Sequence, residues 1–161
     1  MKYLILISGN LLKSFLAFSM LFLLFSSSEA FSQDANGIVG VWLIQDNDAK
    51  VEIFEKAGKY YGKIAWMKYP KDDNGNDKVD DMNPDPKLRS RKKQGLVIMT
   101  GFVYNESSKE WVDGTIYDSK SGKTYDGYMK LEDDGSLYMK GYIMGMRFLG
   151  RSNIWTRAEN E

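Results

Sequence analysis

The segment Gly40-Val41-Trp42 begins a series of eight short runs of β-forming residues, and Trp155-Thr156-Arg157 ends it. Turn signals such as Ala57-Gly58 and Asp133-Asp134-Gly135 separate the runs, as they do in antiparallel hairpins. After the first 30 residues the sequence shows no sustained helical period. The pattern predicts an all-β fold, a single antiparallel up-and-down β-barrel of about eight strands whose two ends meet.

The predicted strands can be placed from these turn signals. In the seventh run, Leu137 and Met139 lie on one face and Tyr138 and Lys140 on the other, because side chains alternate across a strand. In the third run both faces carry apolar side chains, so alternation does not indicate which aromatic residues face inward. The strands are predicted at residues 39–45, 50–56, 59–69, 95–104, 110–118, 123–132, 136–144 and 147–157.

Residues 1–30 have the layout of a secretory signal peptide. Two lysines accompany a compact apolar run at residues 14–25, and small residues follow it. Cleavage fits after Ala30 or as late as Ser32. The uninterrupted apolar run is shorter than the ~20 residues that a membrane span needs. We therefore expect an exported protein, periplasmic or secreted, with no integral membrane association after cleavage.

Removal of the signal peptide leaves residues 31–161, a length suited to one domain. The whole chain has 22 basic and 22 acidic side chains, and this balance gives no basic stripe for a nucleic-acid partner. We expect one barrel domain with a long loop at about residues 70–94.

The chain contains no histidine and no cysteine. This inventory excludes a Ser-His-Asp triad, a Cys-His pair, an imidazole metal ligand and any disulfide. We expect no cofactor, no metal and no catalytic residues. Chemistry by carboxylates and tyrosine is the enzyme alternative that stays open, with Asp113, Tyr117 and Asp118 as its candidate groups.

The long loop at residues 70–94 is acidic at its start and basic at its end. Asp72 begins a pattern similar to a calcium loop, but Asp77 stands where glycine is required and the twelfth position lacks glutamate. A solvated acidic loop is the better interpretation, and calcium binding stays open. Arg89 or Arg91 could reach over a barrel mouth to an anionic head group. The alternative, which we favour, is an ordinary solvated charge run.

Several blocks of sequence carry a resemblance to a known family: Gly40-x-Trp42, Asn83-Pro84-Asp85-Pro86-Lys87-Leu88-Arg89-Ser90-Arg91, Gly95-Leu96, Trp111-x-x-Gly114-x-Ile116-Tyr117-Asp118, Ser121-Gly122-Lys123-Thr124-Tyr125, Gly141-Tyr142, Gly150-Arg151 and Trp155-Thr156-Arg157. Through them the chain resembles domain-of-unknown-function family 2147. The resemblance implies a small exported bacterial protein with a lipocalin-like or calycin-like barrel, and it implies no particular activity. The chain departs from the family at Lys92-Lys93, which leaves the path of the loop open.

The resemblance also implies a structural closure. Lipocalin-like proteins pair a Gly-x-Trp near the first strand with a late arginine. The guanidinium of Arg157 is therefore expected to lie across the indole of Trp42 and close one end of the barrel. Gly40 and Trp155 belong to the same closure.

An eight-stranded barrel either fills with side chains or holds one small ligand. The expected function is that of a non-enzymatic binding module for a small apolar or amphipathic molecule. The alternative is an envelope protein that binds another protein or a glycan through loops or an exposed aromatic face, with the protein partner unknown. The candidate ligand-binding residues are Trp66, Arg89, Tyr117, Tyr125, Tyr142 and Arg151.

Overall fold

The computed structural model describes residues 35–158, and the predicted signal peptide therefore lies outside the described residues. The chain divides into Met1–Asn36 and Gly37–Glu161, and the strands belong to the second unit. The strands are β1 (Gly40–Leu43), β2 (Ala49–Lys56), β3 (Lys59–Met67), β4 (Val97–Asn105), β5 (Glu110–Asp118), β6 (Lys123–Leu131), β7 (Leu137–Ile143) and β8 (Met146–Arg157).

The eight strands form a closed antiparallel barrel in chain order. Each strand pairs with the next, and β8 pairs back with β1, so that Trp42 lies opposite Arg157 and Leu43 opposite Thr156. The predicted all-β, up-and-down barrel is confirmed. The strand ends differ from the predicted ones by no more than two residues, because turn residues such as glycine, asparagine and aspartate limit each run.

One half of the barrel interior is packed with side chains. They come from all eight strands, and they include residues near the β2–β3, β4–β5 and β6–β7 turns as well as Trp42 and Trp155 on the paired strands β1 and β8. Gly114 leaves room for the Phe102 ring, because a Cβ there would lie 2.3 Å from Phe102 Cδ2. The largest fully buried members of this core include Trp42, Met99, Phe102, Trp111, Met129 and Leu137.

The packed half is closed by a contact between the two ends of the barrel. The guanidinium carbon of Arg157 lies 4.3 Å from the ring centroid of Trp42. Arg157 also donates hydrogen bonds to the carbonyl oxygens of Val39 and Gly37. A side chain at Gly40 would prevent this arrangement, since a Cβ there would lie 2.7 Å from Arg157 Nη1.

Replacement of Arg157 with alanine should lower the free energy of unfolding by about 1–2 kcal/mol, because it removes a cation–π contact and two hydrogen bonds. Urea denaturation of both proteins measures the difference. Arg157→Lys keeps the charge without the planar guanidinium. Its free energy of unfolding should lie between those of wild type and Arg157→Ala. Equal unfolding free energies for wild type and Arg157→Ala would contradict a stabilising role for the closure.

Candidate functional site

The other half of the barrel is hollow. It contains two adjoining cavities of about 710 and about 450 Å³. Both are lined by Ile116, Asp118, Met139 and Asn153, so they form neighbouring parts of one interior space. Ligand pockets commonly have volumes of roughly 300–1,000 Å³, and this space is therefore large enough for a small molecule.

The walls of the cavities are mainly apolar and carry a few charged groups. Leu149 and Ile143 contribute to the larger cavity, and Ile64 and Ile98 to the smaller one. The two walls together include four cationic and two anionic side chains, which are Lys78, Lys93, Lys120 and Arg151, and Asp48 and Asp118.

A buried carboxylate ties the long loop after β3 to the wall of the smaller cavity. Asp80 is fully buried, and its Oδ1 accepts a hydrogen bond of 2.6 Å from the hydroxyl of Tyr117 on β5. Its Oδ2 accepts hydrogen bonds from Asn83 Nδ2 at 2.7 Å and from Arg91 Nε at 3.0 Å. Arg91 Nη2 also lies 2.9 Å from Asp80 Oδ2. The loop is thus joined to the sheet by a charged, hydrogen-bonded network.

These contacts shift the pKa values of Asp80 and Tyr117 in opposite directions. Burial by itself raises the pKa of Asp80, but the hydrogen bonds from Tyr117, Asn83 and Arg91, with the Arg91 charge, lower it below its ordinary value. Burial raises the pKa of Tyr117, and its hydrogen bond to the charged Asp80 raises it further. Near neutral pH, Asp80 is therefore an ionised acceptor and Tyr117 a protonated donor.

The loop also meets the barrel at the β5–β6 turn. Gly122 in this turn has a φ of +72°, and a Cβ there would lie 1.9 Å from the carbonyl oxygen of Met82 in the loop. The turn itself is held by Asp118, whose carboxylate accepts hydrogen bonds from the backbone N–H of Lys120 and the hydroxyl of Ser121. Close backbone packing at Gly122 and the Asp80 network therefore fix the loop at two points.

The basic end of the loop pairs mostly with the loop's own acidic residues. Besides the Arg91–Asp80 pair, Lys92 Nζ lies 2.6 Å from Asp77 Oδ2, and Lys93 Nζ lies 3.4 Å from Asp81 Oδ1. A backbone bridge between Val79 and Lys92 defines the path that the departure from the family pattern left open.

The acidic start of the loop is shaped by an aspartate that binds backbone groups. Asp72 Oδ1 accepts hydrogen bonds from the backbone N–H groups of Asn74 and Asn76. The hydrogen bonds from Asn76 and other nearby N–H groups lower the pKa of Asp72. Within residues 35–158, no group of three or more acidic side chains is arranged to hold a metal ion.

Three of the six predicted ligand-binding residues line the cavities. Tyr125 and Arg151 line the larger cavity, and Tyr117 lines the smaller one. Of the two carboxylates in the enzyme alternative, Asp118 lines the cavities, whereas Asp113 is exposed in a β-bulge with a φ of +61°. The structure therefore does not present these two carboxylates to the cavity as a pair.

The other three predicted residues do not line either cavity. Trp66 is 41% exposed, because a register shift between Lys50 and Val51 changes the alternation of the paired strand β3 near its end. Tyr142 lies on the outer face, with its ring centroid 6.2 Å from that of Tyr128, because Gly141 takes the inward position beside it. A role for Trp66 and Tyr142 in ligand binding stays a prediction.

Arg89 lies on the long loop, where its Nε donates a hydrogen bond of 2.7 Å to the carbonyl oxygen of Asn83. This contact directs the guanidinium to the loop backbone, which is why Arg89 does not line the cavities. Its proposed contact with a head group also stays a prediction.

The sequence did not single out Asp80, the centre of the loop network. It lies in an acidic stretch whose sequence is typical of a solvated loop, and its partner Tyr117 is 37 residues away in the chain. The Asn83-Pro84-Asp85-Pro86 block was the available signal, because Asn83 donates to both Asp80 and Tyr117.

Comparison with known proteins agrees with this architecture. A family model described as "Uncharacterized protein conserved in bacteria (DUF2147)" matches residues 40–157. Among solved structures, the chain is similar to protein HP1028 from the human pathogen Helicobacter pylori, described as belonging to the lipocalin family. The TM-score is 0.66 at 25% sequence identity, over 76% of this chain and 84% of that chain. No match was found among curated protein sequences.

None of the helices in residues 35–158 has the length and apolar character needed to cross a membrane.

Proposed function

Because this chain belongs to the DUF2147 family and folds as a lipocalin-like barrel, we propose that it is a non-enzymatic binding module for a small apolar or amphipathic molecule. The observation that carries the proposal is the hollow half of the barrel, with its cavities of about 710 and about 450 Å³. We also propose that the protein is exported to the periplasm or secreted. The signal-peptide layout of residues 1–30 supports export.

The chemistry of the walls supports an apolar or amphipathic ligand. Transfer of apolar surface out of water contributes roughly 25 cal/mol per Å², and Ile116, Met139 and Leu149 offer such surface to a ligand in the larger cavity. Tyrosine and asparagine side chains on the same wall can orient a polar end. The ties at Asp80 and Gly122 hold the loop in place, so less ordering is needed when a ligand binds.

The proposal is tested first on protein purified from its native envelope. Native mass spectrometry should detect a small molecule bound in stoichiometric amount, and solvent extraction should release it for identification. An apo mass, together with no binding of the uncharged fluorescent probe N-phenylnaphthylamine, would refute the proposal.

Filling the cavity should weaken probe binding. Gly141 lines the larger cavity, and a Cβ there makes only ordinary contacts, the nearest at 3.5 Å to Tyr125 Cβ. Gly141→Phe is therefore expected to fold and to weaken N-phenylnaphthylamine binding by about tenfold, or about 1.4 kcal/mol. Lys140→Phe places the same ring on the outer face of β7 and is the matched control. Equal probe affinities for the two variants would contradict binding in this cavity.

A second candidate function is binding of another envelope protein through the β7–β8 hairpin. Met144 is 81% exposed and Phe148 is 75% exposed on this hairpin, and large exposed apolar side chains grouped together are typical of interaction sites. Recovery of apo protein crosslinked to another protein through residue 148 would favour this function over the cavity.

A further inference from the structure

Arg151 differs from the other arginines of the described chain. It lines the larger cavity, and within residues 35–158 its guanidinium has no hydrogen-bond or ion-pair partner in the protein. Each of the other four arginines has such a partner: Arg89 the carbonyl oxygen of Asn83, Arg91 the carboxylate of Asp80, Arg147 the carboxylate of Glu110, and Arg157 the carbonyl oxygens of Val39 and Gly37.

The nearby acidic residue of the cavity is already engaged. The Asp118 carboxylate caps the β5–β6 turn through hydrogen bonds from the backbone N–H of Lys120 and the hydroxyl of Ser121. No ion pair forms between Asp118 and Arg151 in the described structure, although both line the larger cavity. The five N–H donors of the Arg151 guanidinium are therefore available to a ligand.

The strand pairing leaves space beside Arg151. Arg151 lies opposite Gly141 across β7 and β8, and Gly141 contributes no side chain to the wall. Its position is open enough that a Cβ would make only ordinary contacts. A planar group on a ligand can therefore approach the guanidinium from the cavity without displacing a protein side chain.

Arg151 is also the charged group of the larger cavity that stays open to an anion. This cavity has one cationic side chain, Arg151, and one anionic side chain, Asp118, and the Asp118 carboxylate is held by the β5–β6 turn. The three lysines line the smaller cavity, where Lys93 pairs with Asp81 and Lys120 with Asp48. Charge-assisted hydrogen bonds from a guanidinium to a carboxylate are commonly bidentate and are stronger than neutral ones.

We propose that the ligand is an amphipathic molecule with a single carboxylate, bound by the Arg151 guanidinium. Its apolar body lies against Ile116, Met139 and Leu149 in the larger cavity. This inference rests on the proposed function, because it names the ligand class of the same cavity. It also assigns Arg151 the role of selecting a carboxylate over an uncharged polar end.

The test compares decanoic acid with decanol, which have the same chain length, as competitors of N-phenylnaphthylamine at about pH 8, where the carboxylate is ionised. In wild type, the acid should displace the probe at about tenfold lower concentration than the alcohol. Arg151→Gln should weaken the binding of decanoic acid by about tenfold and leave the binding of decanol unchanged. Arg151→Lys keeps the positive charge and should therefore retain part of the preference for decanoic acid over decanol.

Lys140→Gln is the matched control, because it removes one positive charge from the outer face of the neighbouring strand. It should leave both affinities unchanged. If acid and alcohol bind equally to wild type, or if Arg151→Gln weakens both alike, the carboxylate inference is overturned while the cavity proposal stands. If neither the probe nor either competitor binds to wild type, the proposed function fails, and the inference fails with it.

Discussion

Asp80→Ala is expected to lower the free energy of unfolding by about 3 kcal/mol, because it leaves Arg91, Tyr117 and Asn83 without their shared acceptor. Breaking a buried ion pair typically costs about 3–5 kcal/mol. We expect the lower end of this range because the Arg91 side chain is 39% exposed and can recover hydration. Chemical denaturation of wild type and variant measures the difference.

Asp81→Ala is the matched control for this prediction. Asp81 is the next residue, its side chain is 67% exposed, and it lies 3.4 Å from Lys93 Nζ. Because the Asp81 carboxylate is well hydrated, its pair with the half-buried Lys93 contributes only about 0–1 kcal/mol, so this variant should be nearly as stable as wild type. Similar losses for the two variants would show that the Asp80 network does not anchor the loop.

The same network predicts how stability depends on pH. The pKa of Asp80 is lower in the folded protein, so its contribution is present above the unfolded value of about 3.9 and is lost as pH falls through the folded pKa. The pKa of Tyr117 is higher in the folded protein. Its contribution is therefore present below about 10 and is lost as pH rises through the folded pKa. The difference in free energy of unfolding between wild type and Asp80→Ala, measured by urea denaturation, should therefore decrease as the pH is lowered below about 4.

Gly122→Ala is expected to lower the free energy of unfolding by about 3 kcal/mol or more. A residue with a side chain at positive φ costs about 1–3 kcal/mol. In addition, the new Cβ would lie 1.9 Å from the carbonyl oxygen of Met82, so the loop or the turn must move. Thermal and urea unfolding measure the loss, and weaker N-phenylnaphthylamine binding would report displacement of the loop at the cavity.

Gly135→Ala is the control that separates the cost of backbone strain from the clash between a Cβ at residue 122 and the Met82 carbonyl oxygen. Gly135 has a φ of +81°, and nothing lies within 4 Å of a Cβ built there. Its substitution should therefore cost only the strain of positive φ, and it should leave probe binding unchanged. If Gly122→Ala and Gly135→Ala were equally stable, close packing between the loop and the β5–β6 turn would contribute nothing.

The strands could be placed from the sequence because their signals are local. Glycine and aspartate at the turns, with β-forming runs between them, place the strand ends to within two residues. The inward residues could be placed only in regular strands such as β7, where Leu137 and Met139 are buried as alternation predicts. In β3 both faces carry apolar side chains, and a register shift near Lys50 and Val51 interrupts the alternation, so the exposed position of Trp66 could not be predicted from the sequence.

The eight strands and their order along the chain follow from local signals in the sequence, and the motifs Gly40-x-Trp42 and Trp155-Thr156-Arg157 at the two ends predicted that the first strand meets the last. Turn chemistry and side-chain alternation act between near neighbours, so they can be read from the chain directly. Three features are visible only in the folded chain: the division of the barrel into a packed and a hollow half, the hydrogen bond between Asp80 and Tyr117, and the position of Arg151 at a cavity without a protein partner. These features depend on contacts between residues far apart in sequence and on the volumes that their side chains fill.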